Sequence, residues 1–222
     1  FVLASVILLF GSALFASIVE AKVPGTREFL IMPGFDELSK QWQSGSHEER
    51  SSSEAAMATS FYASNNPFVA ILSGSIAAAT FGVGTTVQLY NNGKILGVLA
   101  NDMARVNKLG FLIVSIAPHG VTELSGMVMS GASGLTLGWA LINPGRRERG
   151  EALIHAGKSA IILLIVAVIL MLMAAPIEGY FSFNPRVPGA VKFAFALATA
   201  VFWGLFWTGY GNKTHTKSGP VK

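Results

Sequence analysis

The sequence of 222 residues is strongly apolar, with 51% hydrophobic and only 13% charged residues. A soluble domain carries about 25% charged residues, so the main solvent of this chain is lipid. The net charge of +4 comes from bases scattered beside apolar runs and among acids. This pattern and the lack of a phosphate-binding glycine motif exclude nucleic-acid and nucleotide binding. Cysteine is absent, which excludes disulfides and thiolate metal ligands.

Four apolar runs are long enough to cross a membrane as helices, which takes about 20 residues. They cover residues 1–19, 68–87, 159–177 and 190–210. The sequence begins inside the first run, so we expect further chain before it and interpret the run as a span instead of a signal peptide. A turn is predicted after the second run, at Asn92 and Gly93. The predicted fold class is an all-α, polytopic helical membrane protein.

A fifth apolar stretch, residues 109–142, would measure about 51 Å as one helix at 1.5 Å per residue, which is too long for a simple crossing. Pro118 removes a backbone donor and Gly120 relaxes the backbone, so we predict a break there and a re-entrant helical hairpin. Basic residues lie on both sides of the stretch, at residues 94–108 and 146–158. The positive-inside rule places both basic connections in the cytoplasm.

The stretch between the first two runs is acidic overall, and the same rule places it outside the cell. Its composition predicts two short helices, at residues 35–42 and 48–62. We divide the chain into a first transmembrane helix (1–19), an acidic extracytoplasmic amphipathic segment (20–66) and a membrane-embedded helical domain (67–222). The acidic segment is a candidate docking surface, with a solvated connector as the alternative.

His119 and Glu123 are the leading functional candidates, because ionisable groups at membrane depth are costly and face a partner or a cavity. Four residues apart, they share one face of a helix. We favour a hydrogen-bonded pair that holds the broken helix together, with a proton or ion relay and a metal or catalytic site as alternatives. Glu178 and His155 complete a metal site only if folding brings them near. No catalytic residue, cofactor or metal is therefore predicted.

The remaining candidates are Asn66, Glu178 and a stripe of small residues, all with structural roles in our interpretation. Asn66 precedes a proline and caps a helix, and Glu178 is an acid at the outer membrane edge. Small residues at intervals of four let another helix approach closely, within the subunit or across a homodimer. The stripe consists of Gly126, Ser130, Gly134 and Gly138.

Several of these motifs, in the same order, resemble the stage II sporulation protein M family. The resemblance covers residues 65–210, and its most specific part is a Pro-His-Gly-x-x-Glu-Leu motif at residues 118–124. Besides the stripe, the other matching positions are Asn65, Asn66, Gly74, Gly82, Gly84, Asn92, Gly93, Gly97, Ala117 and residues 174–178.

The resemblance implies a multi-pass protein of the bacterial cytoplasmic (inner) membrane, since the sporulation member anchors and localises two peptidoglycan-degrading partners there. We therefore expect a non-enzymatic scaffold in cell-envelope remodelling, which contacts lipid and other membrane or envelope proteins. A homo-oligomer follows only under the alternative in which the stripe packs across a homodimer. His119, Gly120 and Glu123 carry over as motif residues without an assigned chemical role. The alternatives are a transporter or channel subunit with a site at the broken helix, and an intramembrane metal-dependent hydrolase.

Overall fold

The computed structural model describes residues 1–215, and only the backbone of residues 210–215. Within this range the chain is helical and contains no strand, which confirms the all-α prediction. The helices are α1 (Val2–Lys22), α2 (Arg27–Leu30), α3 (Phe35–Gln43), α4 (Ser52–Thr80), α5 (Val83–Arg105), α6 (Leu109–Ile142), α7 (Arg149–Pro176) and α8 (Gly189–His215), with a π-helix (Ile177–Ser182) directly after α7.

Four described segments are long and apolar enough to cross a membrane: α1, α6, α7 with its π-helix, and α8. They expose large apolar side chains, such as Leu3, Ile162 and Leu205, as helices in contact with lipid do. To within one residue, the predicted spans at residues 1–19, 159–177 and 190–210 lie inside three of these segments. The prediction of a polytopic helical membrane protein is therefore confirmed.

The predicted span at residues 68–87 is wrong, because the chain reverses direction inside it. α4 ends and α5 begins on either side of Phe81 and Gly82, whose φ angles are 53° and 87°. Glycine adopts such angles without the steric cost of a side chain. α4 also begins well before the apolar run, so residues 52–62 of the helix predicted at residues 48–62 form its first three turns, whereas residues 48–51 are not helical.

The turn predicted at Asn92 and Gly93 is also wrong, because both residues lie inside α5. Gly93 and Gly97 serve close packing instead: a Cβ atom on either would collide with a carbonyl of α1, at Leu9 or Ala13. Small residues four apart let two membrane helices approach closely. The glycines therefore fix where α1 packs against α5.

The predicted re-entrant hairpin at residues 109–142 is wrong, because the stretch forms the single helix α6. Pro118 lies inside this helix, where its missing N–H leaves one carbonyl without its usual donor. Packed membrane helices tolerate such a loss. Of the bases predicted to form one connection before α6, Lys94 lies inside α5, and Arg105 and Lys108 lie at the opposite end of α6 from Arg146. A single crossing by α6 therefore contradicts the prediction that both basic stretches face the cytoplasm.

Side-chain contacts between helices give their directions. α1 and α5 are parallel, since the contacts advance from Leu9 with Gly93 to Ser17 with Asn101. α6 runs opposite to α5, because Gly131 meets Leu89 and Gly134 meets Thr85. α4 and α8 run in the same direction as α6, and α7 runs antiparallel to it. One end of the bundle, the α3 end, therefore carries α2, α3 and residues 44–51 and 177–188. The other, the Arg146 end, carries the α4–α5 turn and residues 143–148.

Candidate functional site

Three ionisable side chains converge at the α3 end of the bundle. His119 and Glu123 lie one turn apart on α6, and Glu178 lies on the π-helix. The Nε2 atom of His119 is 3.9 Å from Oε2 of Glu123 and 4.0 Å from Oε1 of Glu178. His119 is only 5% exposed and Glu178 only 8%. These three residues are called the His119 cluster below.

The π-helix brings Glu178 to α6. Pro176, the last residue of α7, has no N–H to continue the α-helical ladder, and one wider turn follows it. Glu178 and Ser182 on this turn both reach His119. Gly179 packs against α4, where a Cβ atom would collide with Thr59. Single π-helical turns are frequent at functional sites.

His119 and Glu123 each have a hydrogen-bond partner outside the cluster. Nδ1 of His119 lies 2.8 Å from the Ser182 hydroxyl, and the Asn66 amide donates to Glu123 at 3.1 Å. The direct hydrogen bond expected between His119 and Glu123 is not formed, because 3.9 Å is too long for one. Asn66 therefore orients Glu123 from inside α4 and does not cap a helix.

One carboxylate oxygen in the cluster has no hydrogen-bond partner. The Oε2 atom of Glu178 is buried and unpaired in the described part of the chain, although Tyr62 and Asn66 lie beside the carboxylate and Arg50 is nearby. A buried, unpaired polar atom costs about 1–3 kcal/mol and more when charged. The cluster is therefore incomplete with respect to polar contacts.

Phe183 connects the His119 cluster to the segment before α4. Its ring packs edge-on against His119 and Trp42 and lies against His47, with the Arg50 guanidinium over its face. An exposed ion pair between Arg186 and Glu49 joins the same two stretches of chain. Residues 44–51 thus cover the cluster at the α3 end, and we call them the cover segment.

His47 holds the cover segment against α6. Its Nε2 atom lies 2.8 Å from the Ser115 hydroxyl, and its ring lies 4.6 Å from that of Phe111. Burial lowers the pKa of His47 to about 4, with further lowering by the positive charges of Lys192 and Arg50. His47 is therefore neutral in the docked cover segment at pH 7.

A polar cavity of about 180 Å³ lies between the cover segment and the π-helix. Arg50, Ser51, Gly179 and Phe183 are among the residues that line it. Gly179 directly follows Glu178 in the chain, and Phe183 touches His119. The cavity therefore reaches the neighbourhood of the His119 cluster from the α3 end.

The small-residue stripe of α6 lies inside the subunit. Gly126 faces α7, Gly134 faces α4 and α5, and Gly138 faces the α4–α5 turn. Ser130 donates a hydrogen bond to the Ala70 carbonyl of α4 at 2.5 Å. All four stripe residues are buried, so the stripe serves contacts between helices of one chain.

The fold brings most of the candidate residues named from the sequence together at the His119 cluster. Pro118 and Gly120 flank His119 on α6, and Asn66 and Glu178 join the cluster. His155 does not, because about 35 Å of helix separates it from Glu178 at 1.5 Å per residue. Four neighbours of the cluster were not predicted from the sequence: Arg50, Tyr62, Ser182 and Phe183. The signal for two of them was an aromatic-rich stretch directly after Glu178, which contains Ser182 and Phe183.

The comparisons with known proteins agree with the resemblance seen in the sequence. The family model for stage II sporulation protein M matches residues 4–183. The chain is also similar to an uncharacterized protein of Methanocaldococcus jannaschii, with 32% identity over 112 residues, which are 50% of this chain and 61% of that protein. The chain therefore covers less than two thirds of this relative's length.

No solved structure matches the chain. The family match runs from α1 to just past the π-helix, and so includes the whole His119 cluster. This confirms the predicted resemblance, and the chain belongs to the stage II sporulation protein M family.

Proposed function

We propose that this chain is a non-enzymatic scaffold of the bacterial cytoplasmic membrane that positions partner proteins during cell-envelope remodelling. The observation that carries the proposal is a firmly held surface outside the helical bundle. α2, α3 and the connection between them lie across the α3 end and expose Phe29, Met32 and Leu38. Exposed aromatic and methionine side chains are typical anchors of protein interfaces.

An ion network holds this surface in place. Arg27 pairs with Asp102 of α5, with Asp36 of α3 and with Glu20 of α1, and the Ser39 hydroxyl also donates to Asp102 at 2.6 Å. The two short helices are thereby fixed to two helices of the bundle. A surface fixed in advance loses less conformational entropy when a partner binds.

Charge supports an outward orientation of this surface. The Arg146 end carries three exposed arginines, Arg146, Arg147 and Arg149. The α3 end carries more bases, but several of these are paired with acids, as in Arg27–Asp102, Arg105–Glu20 and Arg186–Glu49. The arginine cluster without acid partners in the described chain is the one that we place in the cytoplasm. The α3 end then faces outward, and it carries most of the acids of residues 20–66. Glu28 and Glu37 are exposed next to the apolar anchors, so the partner surface is expected to combine apolar pockets with a basic rim.

The other functional alternatives are affected differently by the structure. Transport was inferred from a broken helix, and the continuity of α6 removes that argument. The homodimer was inferred from the stripe, which is used inside the subunit. Binding of a cation is a second candidate function, because the His119 cluster contains a buried carboxylate oxygen without a partner.

Photocrosslinking in living cells tests the scaffold proposal. A crosslinking amino acid at Phe29 or Leu38 is expected to capture one envelope protein, identified by mass spectrometry. The same probe at Ile162, an exposed position of α7, is expected to capture lipid. In a second arm, Phe29→Ser should reduce recovery of the identified partner at least about tenfold, which corresponds to the loss of one interface anchor. Lipid adducts at all three positions would show that the surface rests on the membrane and would overturn the proposal.

A further inference from the structure

The His119 cluster has the spacing of a metal site. Its ligand atoms, one from each residue, all lie within 4.8 Å of one another. An ion with bonds of about 2.1 Å holds tetrahedral ligands about 3.4 Å apart. The two shorter separations, 3.9 and 4.0 Å, exceed this value by about half an ångström. Small side-chain rotations would therefore close the site around an ion.

The chemistry of the three side chains also leaves room for a cation. When Nδ1 of His119 donates to the Ser182 hydroxyl, the Nε2 atom presents a lone pair to the two carboxylates. Three electron-pair donors then face one another across the cluster, while the Tyr62 hydroxyl and the Asn66 amide lie beside the Glu178 carboxylate. The unpaired Oε2 atom of Glu178 lies in the same group. From these contacts we propose that His119, Glu123 and Glu178 bind one divalent transition-metal ion.

Neighbouring residues orient the ligands as they do in known metal sites. A metal-bound histidine is held through its second ring nitrogen, and metal-bound carboxylates are hydrogen-bonded in turn. Ser182 takes this role for His119, and Asn66 takes it for Glu123. Each ligand also comes from a packed helix, so binding needs only side-chain rotations and no movement of the backbone.

The ligand set selects the class of metal. One imidazole and two carboxylates suit Zn²⁺, Mn²⁺ or Fe²⁺, whereas Cu⁺ prefers sulfur ligands and Ca²⁺ an all-oxygen shell. Three protein ligands leave a coordination position for water, which the polar cavity beside Gly179 and Phe183 can supply. This inference does not depend on the scaffold function.

Metal binding by the full chain, purified in detergent with a histidine-free tag, tests the proposal. The protein is stripped with a chelator, dialysed against Zn²⁺ or Mn²⁺, and assayed for metal content and thermal unfolding. We expect one ion per chain and a higher Tm with metal. Glu178→Gln is expected to weaken binding by at least about 100-fold, since even residues that only orient ligands contribute 10- to 100-fold.

Two variants keep this test interpretable. Glu178→Gln removes a charge but keeps the shape, so its metal-free Tm should equal or exceed that of the metal-free wild type, and its loss of binding is then not misfolding. His155→Gln removes an exposed histidine outside the cluster and should bind like the wild type. The proposal is overturned if the wild type binds neither ion, or if Glu178→Gln binds with wild-type affinity.

Discussion

Arg27 donates one hydrogen bond from each terminal guanidinium nitrogen to the two carboxylate oxygens of Asp102, at 2.7 and 2.9 Å. The carboxylate is only 5% exposed, and removing one partner of a buried pair leaves an uncompensated charge. We expect Arg27→Met to lower the free energy of unfolding by about 3 kcal/mol and to speed hydrogen exchange in α2 and α3. Thermal unfolding and exchange mass spectrometry measure these effects.

The control for this prediction is the exposed ion pair of Arg186 and Glu49, whose side chains are 76% and 49% exposed. Water screens such pairs, so Arg186→Ala should cost less than about 1 kcal/mol. Equal losses in the two variants would contradict the view that burial makes the Arg27 pair important.

The small-residue stripe predicts the effect of a bulky side chain on α6. A Cβ atom on Gly134 would already collide with Thr85 and the Ser73 carbonyl, so Gly134→Leu must push α4 and α5 away. We expect loss of folded protein or a clearly lower Tm in detergent. Gly204→Leu on α8 is the matched control, because a Cβ atom there meets nothing within 4 Å. An unchanged Tm for Gly134→Leu would show that the helices are not packed as described.

The lowered pKa of His47 predicts that docking of the cover segment depends on pH. Its pKa is lowered to about 4 when docked and is about 6.5 when free, so protons favour the undocked form. The full strength of docking is expected above pH 6.5, with a progressive loss as the pH falls toward 4. Spin labels on Ser46→Cys and Ala190→Cys should move apart over this range.

The labels are specific because the natural chain contains no cysteine. His47→Gln can still hydrogen-bond to Ser115 but does not titrate, so it should hold the label distance constant between pH 7 and 4. A pH-dependent distance that persists in this variant would assign the effect to another group.

The direction of α6 predicts on which side of the membrane each of two exposed residues lies. Ser46 belongs to the α3 end and Asn143 to the Arg146 end. With the basic end in the cytoplasm, an impermeant thiol reagent added to intact cells should label Ser46→Cys and not Asn143→Cys. Labelling of Asn143→Cys alone would invert the proposed orientation. Labelling of both from outside would contradict the single crossing by α6.

The membrane class and family were predictable from the sequence, because composition and run length depend on no long-range contact. The topology was not. Pro118 and Gly120 are strong helix breakers in water, but α6 is continuous through both, and both are buried against neighbouring helices. The reversal at Phe81 and Gly82 was hidden inside an apolar run, since its neighbours on both sides belong to packed helices.

The candidate site was half predictable for a similar reason. The spacing of His119 and Glu123 is visible in the sequence, because both lie on one regular helix. Glu178 reaches them only through a π-helical turn, whose hydrogen-bond pattern has no simple sequence signature. Asn66 contacts Glu123 across 57 positions of the chain, a pairing that spacing rules cannot supply.

The parallel packing of α1 on α5 sets an order of assembly during synthesis. α1 leaves the ribosome well before α5, since the hydrogen bond from Ser17 to Asn101 spans 84 positions. Until then α1 exposes to lipid the polar side chains that α5 will cover, including Ser12 and Glu20. A nascent chain that ends before α5 therefore carries α1 without the helix that covers its polar face.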